Sequence, residues 1–131
     1  MDLDEWRSRI NDIDDQILTL LNQRAEVALR IGEIKRQGGS DCFVPEREAE
    51  ILARLRALNP GPFPAEGVTA VWREILSASV ALEAPLTVAY LGPPATFTHQ
   101  AASLRFGSSA RFTPAQSIGE VFEEVERGRA D

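Results

Sequence analysis

The chain has a single cysteine, Cys42, and so cannot close an internal disulfide. That favours a reducing compartment, and the expected location is the cytoplasm. Its one histidine, His99, has no second histidine to help it ligate a metal or build a catalytic pair. Net positive charge is lacking too. Fourteen lysines and arginines stand against twenty acidic residues, for a net charge of −6, which speaks against nonspecific nucleic-acid binding. No apolar run approaches the ~20 residues of a membrane span, and the acidic start (Asp2, Asp4, Glu5) is unlike a signal peptide. Neither nucleic acid nor membrane is expected as a partner. Internal repeats and low-complexity tracts are also missing.

Proline is absent from Asp4 to Gln37, and here the chain is most informative. Apolar residues fall at Trp6, Ile10, Ile13, Ile17, Leu20, Leu21, Val27, Ala28, Ile31 and Ile34, a helical spacing held for about nine turns. Asp2 with Glu5 reads as a capping box, and Gly38-Gly39 supplies a stop. The spacing predicts a first helix over about 3–37. Pro45 opens a second over 45–58, with an inner face of Ile51, Leu52, Leu55 and Leu58. After the rigid Asn59–Pro64 connector comes a third over 65–83, apolar at Val68, Val71, Trp72, Ile75, Leu76 and Val80, with Pro85 closing it.

The texture then changes. Leu86–Leu91 reads as a short buried strand, followed by a Gly-Pro-Pro loop and a helix over Thr98–Phe106. A weak strand is expected near Ala110–Phe112 and a further helix over Ser117–Arg127. Strand alternating with helix indicates a parallel α/β sheet. Two short strands make a poor sheet, so the expectation is a helical domain over 1–84 followed by a partial α/β segment over 86–131, the opening of a second domain. The fold class is mainly α.

Length adds a demand of its own. Thirty-three helical residues extend ~50 Å, whereas a compact unit of ~85 residues is ~30 to 35 Å across. The first helix overshoots, and its stripe runs along the overhang. A second copy should cover it, in an interlocked homodimer; an antiparallel monomeric bundle is the alternative.

Cations on that helix suggest chemistry. Arg24 sits where the stripe needs an apolar residue, and Lys35, eleven residues on, returns to within ~20° of the same face. A buried positive charge is costly unless something negative meets it. The pair therefore points to a pocket for a small anion, although both side chains could also snorkel or pair with nearby glutamates. Arg47 and Glu48 open the second helix, where Glu46 is accounted for by the helix dipole and Glu48 is the better acceptor for a ligand hydroxyl. Ser79 and Glu83 place a polar pair, i to i+4, on the apolar face of the third helix. Burial there favours the protonated carboxyl, which can donate a hydrogen bond where the ionised one would repel an anion.

The pattern Trp6-Arg7-Ser8-Arg9-Ile10 with Ile13-Asp14, then Arg24, Ile31-Gly32 and Lys35, then Pro45-Glu46-Arg47-Glu48, resembles the all-helical chorismate mutase family. The stretch Val88-Ala89-Tyr90-Leu91-Gly92-Pro93-Pro94-Ala95-Thr96-Phe97-Thr98 resembles the start of a prephenate dehydratase domain. Together, residues 3–131 resemble the N-terminal part of a bifunctional chorismate mutase–prephenate dehydratase. The resemblance implies an isomerase of aromatic amino-acid biosynthesis that converts chorismate to prephenate without metal or redox cofactor. Arg24 and, across subunits, Arg7 would bind the two substrate carboxylates. Lys35 would bind the ether oxygen and a carboxylate, and Glu83 the same ether oxygen, where many relatives have glutamine. Glu48 and a backbone N–H near Val44 would hold the ring hydroxyl; Arg47 would pair nearby carboxylates, and Ser79 would line the pocket.

The dehydratase-like loop departs from the family pattern, with Ala95 for glycine and Thr98 for serine, and the later catalytic threonine motif expected of a dehydratase is absent from the sequence, which stops at Asp131. No dehydratase activity is expected of this polypeptide. His99 is expected at the surface or in a loop, and Cys42 is expected to be inert. Two readings of another class stay open: a non-enzymatic helical dimerisation module, and a sensor that binds an aromatic acid without converting it.

Overall fold

The computed structural model describes residues 1–84 and 86–131, so the proline expected to end the third helix, Pro85, lies outside the described residues. The fold is mainly helical. Helix α1 spans Leu3–Gly38, α2 Pro45–Leu58 and α3 Ala65–Glu83; then β1 (Thr87–Leu91), α4 (Phe97–Phe106), β2 (Arg111–Ala115) and α5 (Ile118–Glu126) follow. Among the described residues no helix is long and apolar enough to cross a membrane.

The helix ends follow local chemistry. The Asp2 carboxylate accepts from the Glu5 N–H at 2.9 Å while the Asp2 N–H donates to the Glu5 carboxylate at 2.8 Å, closing the expected capping box. Gly39, at φ 71°, caps the far end. Pro45 occupies the first turn of α2, where its missing N–H has no partner to lose. Residue Thr96 caps α4 through its side chain and Ser117 caps α5, so both helices start a residue away from expectation.

Strand β2 is longer than the expected Ala110–Phe112. It pairs parallel with β1 from Thr87↔Arg111 to Leu91↔Ala115, with Pro114 opposite Tyr90. Proline there reads as a break in the sequence, but a strand with only one neighbour can turn its N-H-free edge outward. His99 also differs from expectation. It lies on α4, half-buried, stacked on Tyr90 at 4.7 Å, and its Nδ1 accepts from the Ala95 N–H at 2.8 Å.

Helices α1 and α3 pack together, α2 packs on α3, and α4 docks the α/β segment against α3. The close approach of α1 to α3 depends on Gly32. A Cβ at that position would stand 3.0 Å from Glu83 Cγ and 3.2 Å from its Cα. Only the C-terminal part of α1 is engaged in this way. Ala28 and Gly32 are its buried residues, whereas residues 1–23 are all exposed, including Trp6, Ile10, Ile13, Ile17 and Leu20, each about half or more accessible. Two positions of the expected inner faces also turn outward, Leu58 and Val71.

Gly32→Val is expected to lower stability by about 1–3 kcal/mol through overpacking against the Glu83 backbone. The midpoint of denaturant unfolding measures it, and an unchanged midpoint would show that α3 can retreat without cost.

Candidate active site

A cavity of about 370 Å³ opens between α1, the start of α2 and the C-terminal half of α3. That volume is within the range of small-molecule sites. One wall is apolar, from Val27, Ala28, Ile31, Ile51, Leu76 and Val80. The remaining lining is polar: Arg24 and Lys35 from α1, Arg47 and Glu48 from α2, Ser79 and Glu83 from α3, and Cys42 and Val44 from the intervening loop. Seven of the eight residues anticipated from sequence thus share one cavity.

Helical spacing explains the convergence. Arg24 and Lys35 project from one face of α1, and Ser79 and Glu83 stand one turn apart on the facing side of α3. The Arg24 guanidinium donates to Ser79 Oγ at 2.8 Å, and that hydroxyl donates onward to the Ile75 carbonyl at 2.8 Å. Arg24 is therefore held by a neutral group and keeps its charge unspent. Lys35 Nζ donates to the Cys42 carbonyl at 3.1 Å and lies 3.7 Å from Glu83 Oε2. The Glu83 side chain is only 9% exposed, and Oε2 is buried with no hydrogen bond among the described residues, since 3.7 Å exceeds hydrogen-bond length. A buried oxygen so placed ordinarily has a hydrogen-bond partner. The main-chain carbonyl of Glu83 accepts from Arg36, which ties the end of α3 to α1.

Glu48 is enclosed on the other side. Its side chain is 14% exposed and meets Arg105 of α4, Nη1 to Oε1, at 3.6 Å. Burial pushes its carboxyl above the ordinary range; the positive charge of Arg105, and more weakly that of Arg73, pulls the other way without cancelling the effect. Arg47 leans outward to Glu50 at 3.4 Å, both well exposed, so it borders the cavity with a replaceable partner. Cys42 is half-buried and contributes a carbonyl acceptor rather than its thiol to Lys35. Arg7 is not brought to this cavity. It sits on the exposed arm of α1, 3.9 Å from Asp4, seventeen residues or ~25 Å along the axis from Arg24. Sequence reasoning missed Arg105 and Arg73, because nothing local marks an arginine on α4 or α3 as the neighbour of an α2 carboxylate.

Residues 6–84 match the family model described as chorismate mutase type II. The chain belongs to the type II chorismate mutase family. Residues 88–131 match the model described as prephenate dehydratase. A bifunctional chorismate mutase/prephenate dehydratase of Aquifex aeolicus is 52% identical over 134 residues, covering 99% of this chain and 37% of that protein. The similarly named protein of Neisseria gonorrhoeae is 46% identical, covering 95% of this chain and 34% of its own length. The chain thus spans about a third of the length of these relatives. Among solved structures, a chorismate mutase of Thermus thermophilus aligns with a TM-score of 0.61 and 37% identity, over 62% of this chain and 92% of that one.

Because the folded Glu48 carboxyl holds its proton more tightly than in the unfolded chain, its contribution to stability is fully present below the ordinary carboxylate range and is lost as pH rises through the folded value. Glu48→Gln removes this loss. The variant is expected to gain stability relative to the parent as pH rises from acid to neutral, measured by urea midpoints; a constant difference across that range would refute the titration.

Proposed function

We propose that the chain is a chorismate mutase, catalysing the intramolecular rearrangement of chorismate to prephenate in a helical unit over residues 1–84, with residues 86–131 as a separate α/β unit. The observation that carries this reading is the cavity itself. Two cations, Arg24 and Lys35, and a buried carboxyl oxygen without a hydrogen bond, Glu83 Oε2, converge on one apolar-walled space. A doubly negative, partly apolar guest fits that combination. The family membership and the Thermus neighbour support the same substrate.

The rearrangement breaks a C–O bond while a C–C bond forms within one molecule, so it calls for no nucleophile and no net proton transfer. Two effects can accelerate it. The first is capture of the flexible enolpyruvyl arm over the ring, by cations that fix its carboxylate and an apolar wall that excludes water. The second is stabilisation of charge developing on the ether oxygen by donors already in place. Lys35 Nζ can donate there. Glu83 can do so only when protonated, because an ionised carboxylate only accepts. Glu48, opposite, accepts from the ring hydroxyl, with a backbone N–H near Val44 alongside.

The site is completed by a second copy of the chain. The apolar arm of α1, residues 1–23, is uncovered in one chain, and no large side chain among those described is fully buried. An isologous pairing of two α1 arms would bury that stripe and carry Arg7 of one copy toward Arg24 of the other. The lone thiol and the carboxylate-rich surface suit a cytoplasmic enzyme. The sensor reading, which binds the acid without converting it, is separated by rate.

Purified protein is expected to consume chorismate in an absorbance assay. Lys35→Ala should lose about 10²- to 10³-fold in kcat, the usual cost of removing one such donor. A sensor would show no turnover and only weaker binding. Glu83→Gln, whose amide can donate to the ether oxygen, should keep turnover, whereas Glu83→Ala should lose about 10²- to 10³-fold in kcat; an unaffected Glu83→Ala would remove Glu83 from its role.

Arg7→Ala and Arg24→Ala should each be nearly inactive. Mixed after dissociation, they should recover roughly a quarter of parental activity, because half of the random dimers contain one intact site of two. No recovery, with dimers present by sedimentation, would place Arg7 outside the site.

A further inference from the structure

The charge that meets Glu48 comes from outside the three-helix unit. Arg105 stands on the last turn of α4, its guanidinium 5.6 Å above the Phe106 ring, and Phe106 packs against Phe43 at 5.4 Å in the loop before α2. The turn that carries it is fixed to α3 by contacts on both flanks. Arg73 donates to the Leu104 carbonyl at 2.7 Å, and the Glu74 carboxylate accepts from Ser108 N–H at 3.1 Å and Ser108 Oγ at 2.6 Å. Between them Gly107, at φ 76°, lies so near α3 that a Cβ would come within 2.5 Å of the Ser77 Cβ. A guanidinium anchored this way is placed by the fold and not by solvent.

We propose that Arg105 is a positioning residue for Glu48, so that the α/β segment supplies a charge the mutase pocket uses to hold the substrate ring. The proposal rests on the mutase reading for its kinetic consequence. Glu48 has lost most of its water, and Arg105 is the larger of two charges, with Arg73, that compensate from outside the cavity. An ionised Glu48 accepts strongly from a hydroxyl; a protonated one is a weaker acceptor. The other charges around Glu48 are Arg73 on α3, Arg47 on its own helix and, across the cavity, Arg24, Lys35 and Glu83. Arg105 alone among these belongs to the α/β segment, and its side chain is 42% exposed, so it can be replaced without opening a core.

The test is kcat and KM for chorismate across the acid and neutral range, in the parent chain, Arg105→Ala, Arg105→Lys, and both Glu48→Gln and the Glu48→Gln/Arg105→Ala double variant. Arg105→Ala is expected to raise KM about fivefold, the equivalent of about 1 kcal/mol for a partly exposed pair, with kcat changed by less than about twofold. The acid limb of kcat/KM should move to higher pH. Arg105→Lys should recover part of both effects, and Arg105→Ala should have none in the Glu48→Gln background. An equal effect with and without Glu48, or superposable pH profiles, would overturn the proposal. If the parent chain turns over no chorismate, the mutase reading falls. The pair is then read by carbon NMR of the Glu48 carboxyl: a midpoint displaced upward in Arg105→Ala upholds the coupling, and an unmoved midpoint refutes it.

Discussion

Lys35 and Glu83 face each other 3.7 Å apart where α1 packs closely on α3, and the rest of the site is arranged around that opposition. Neither group is well satisfied by it. The ammonium leans on a backbone carbonyl, and one carboxyl oxygen is buried without a hydrogen bond. Such a pair is a poor stabiliser, since taking both charges out of water costs about as much as their attraction returns. It is better understood as two incompletely satisfied polar groups kept close by a helix contact that Gly32 makes possible. Stability lies elsewhere, in Val68 and Leu76 of α3 and in Leu86, Tyr90 and Ala115 of the α/β segment.

The helical part was legible because its punctuation is local. A capping box, a proline at the start of α2 and a glycine after α1 each act within one turn, so element ends could be read to about a residue. The pocket was legible for a related reason: Arg24 to Lys35 and Ser79 to Glu83 are spacings within single helices, and each puts both residues on one face. Strand β2 was harder. Pro114 interrupts its pattern, and only the register against β1 reveals that the strand runs on to Ala115.

What escaped the sequence is the contact between the two parts. Glu48 and Arg105 are 57 positions apart and meet only because α4 docks on α3. His99 was misjudged for the same reason, as its stacking on Tyr90 depends on how α4 crosses β1. Both misses concern long-range packing, which hydrophobic period does not encode. The uncovered stripe on α1 is the opposite case, since its period can be read from the sequence alone and runs beyond the part of α1 that packs on α3.

That stripe has a thermodynamic corollary. If two α1 arms pair as proposed, conformational stability and self-association become one equilibrium. Melting temperature would then climb with protein concentration, and dilution would uncover the stripe and lower stability together.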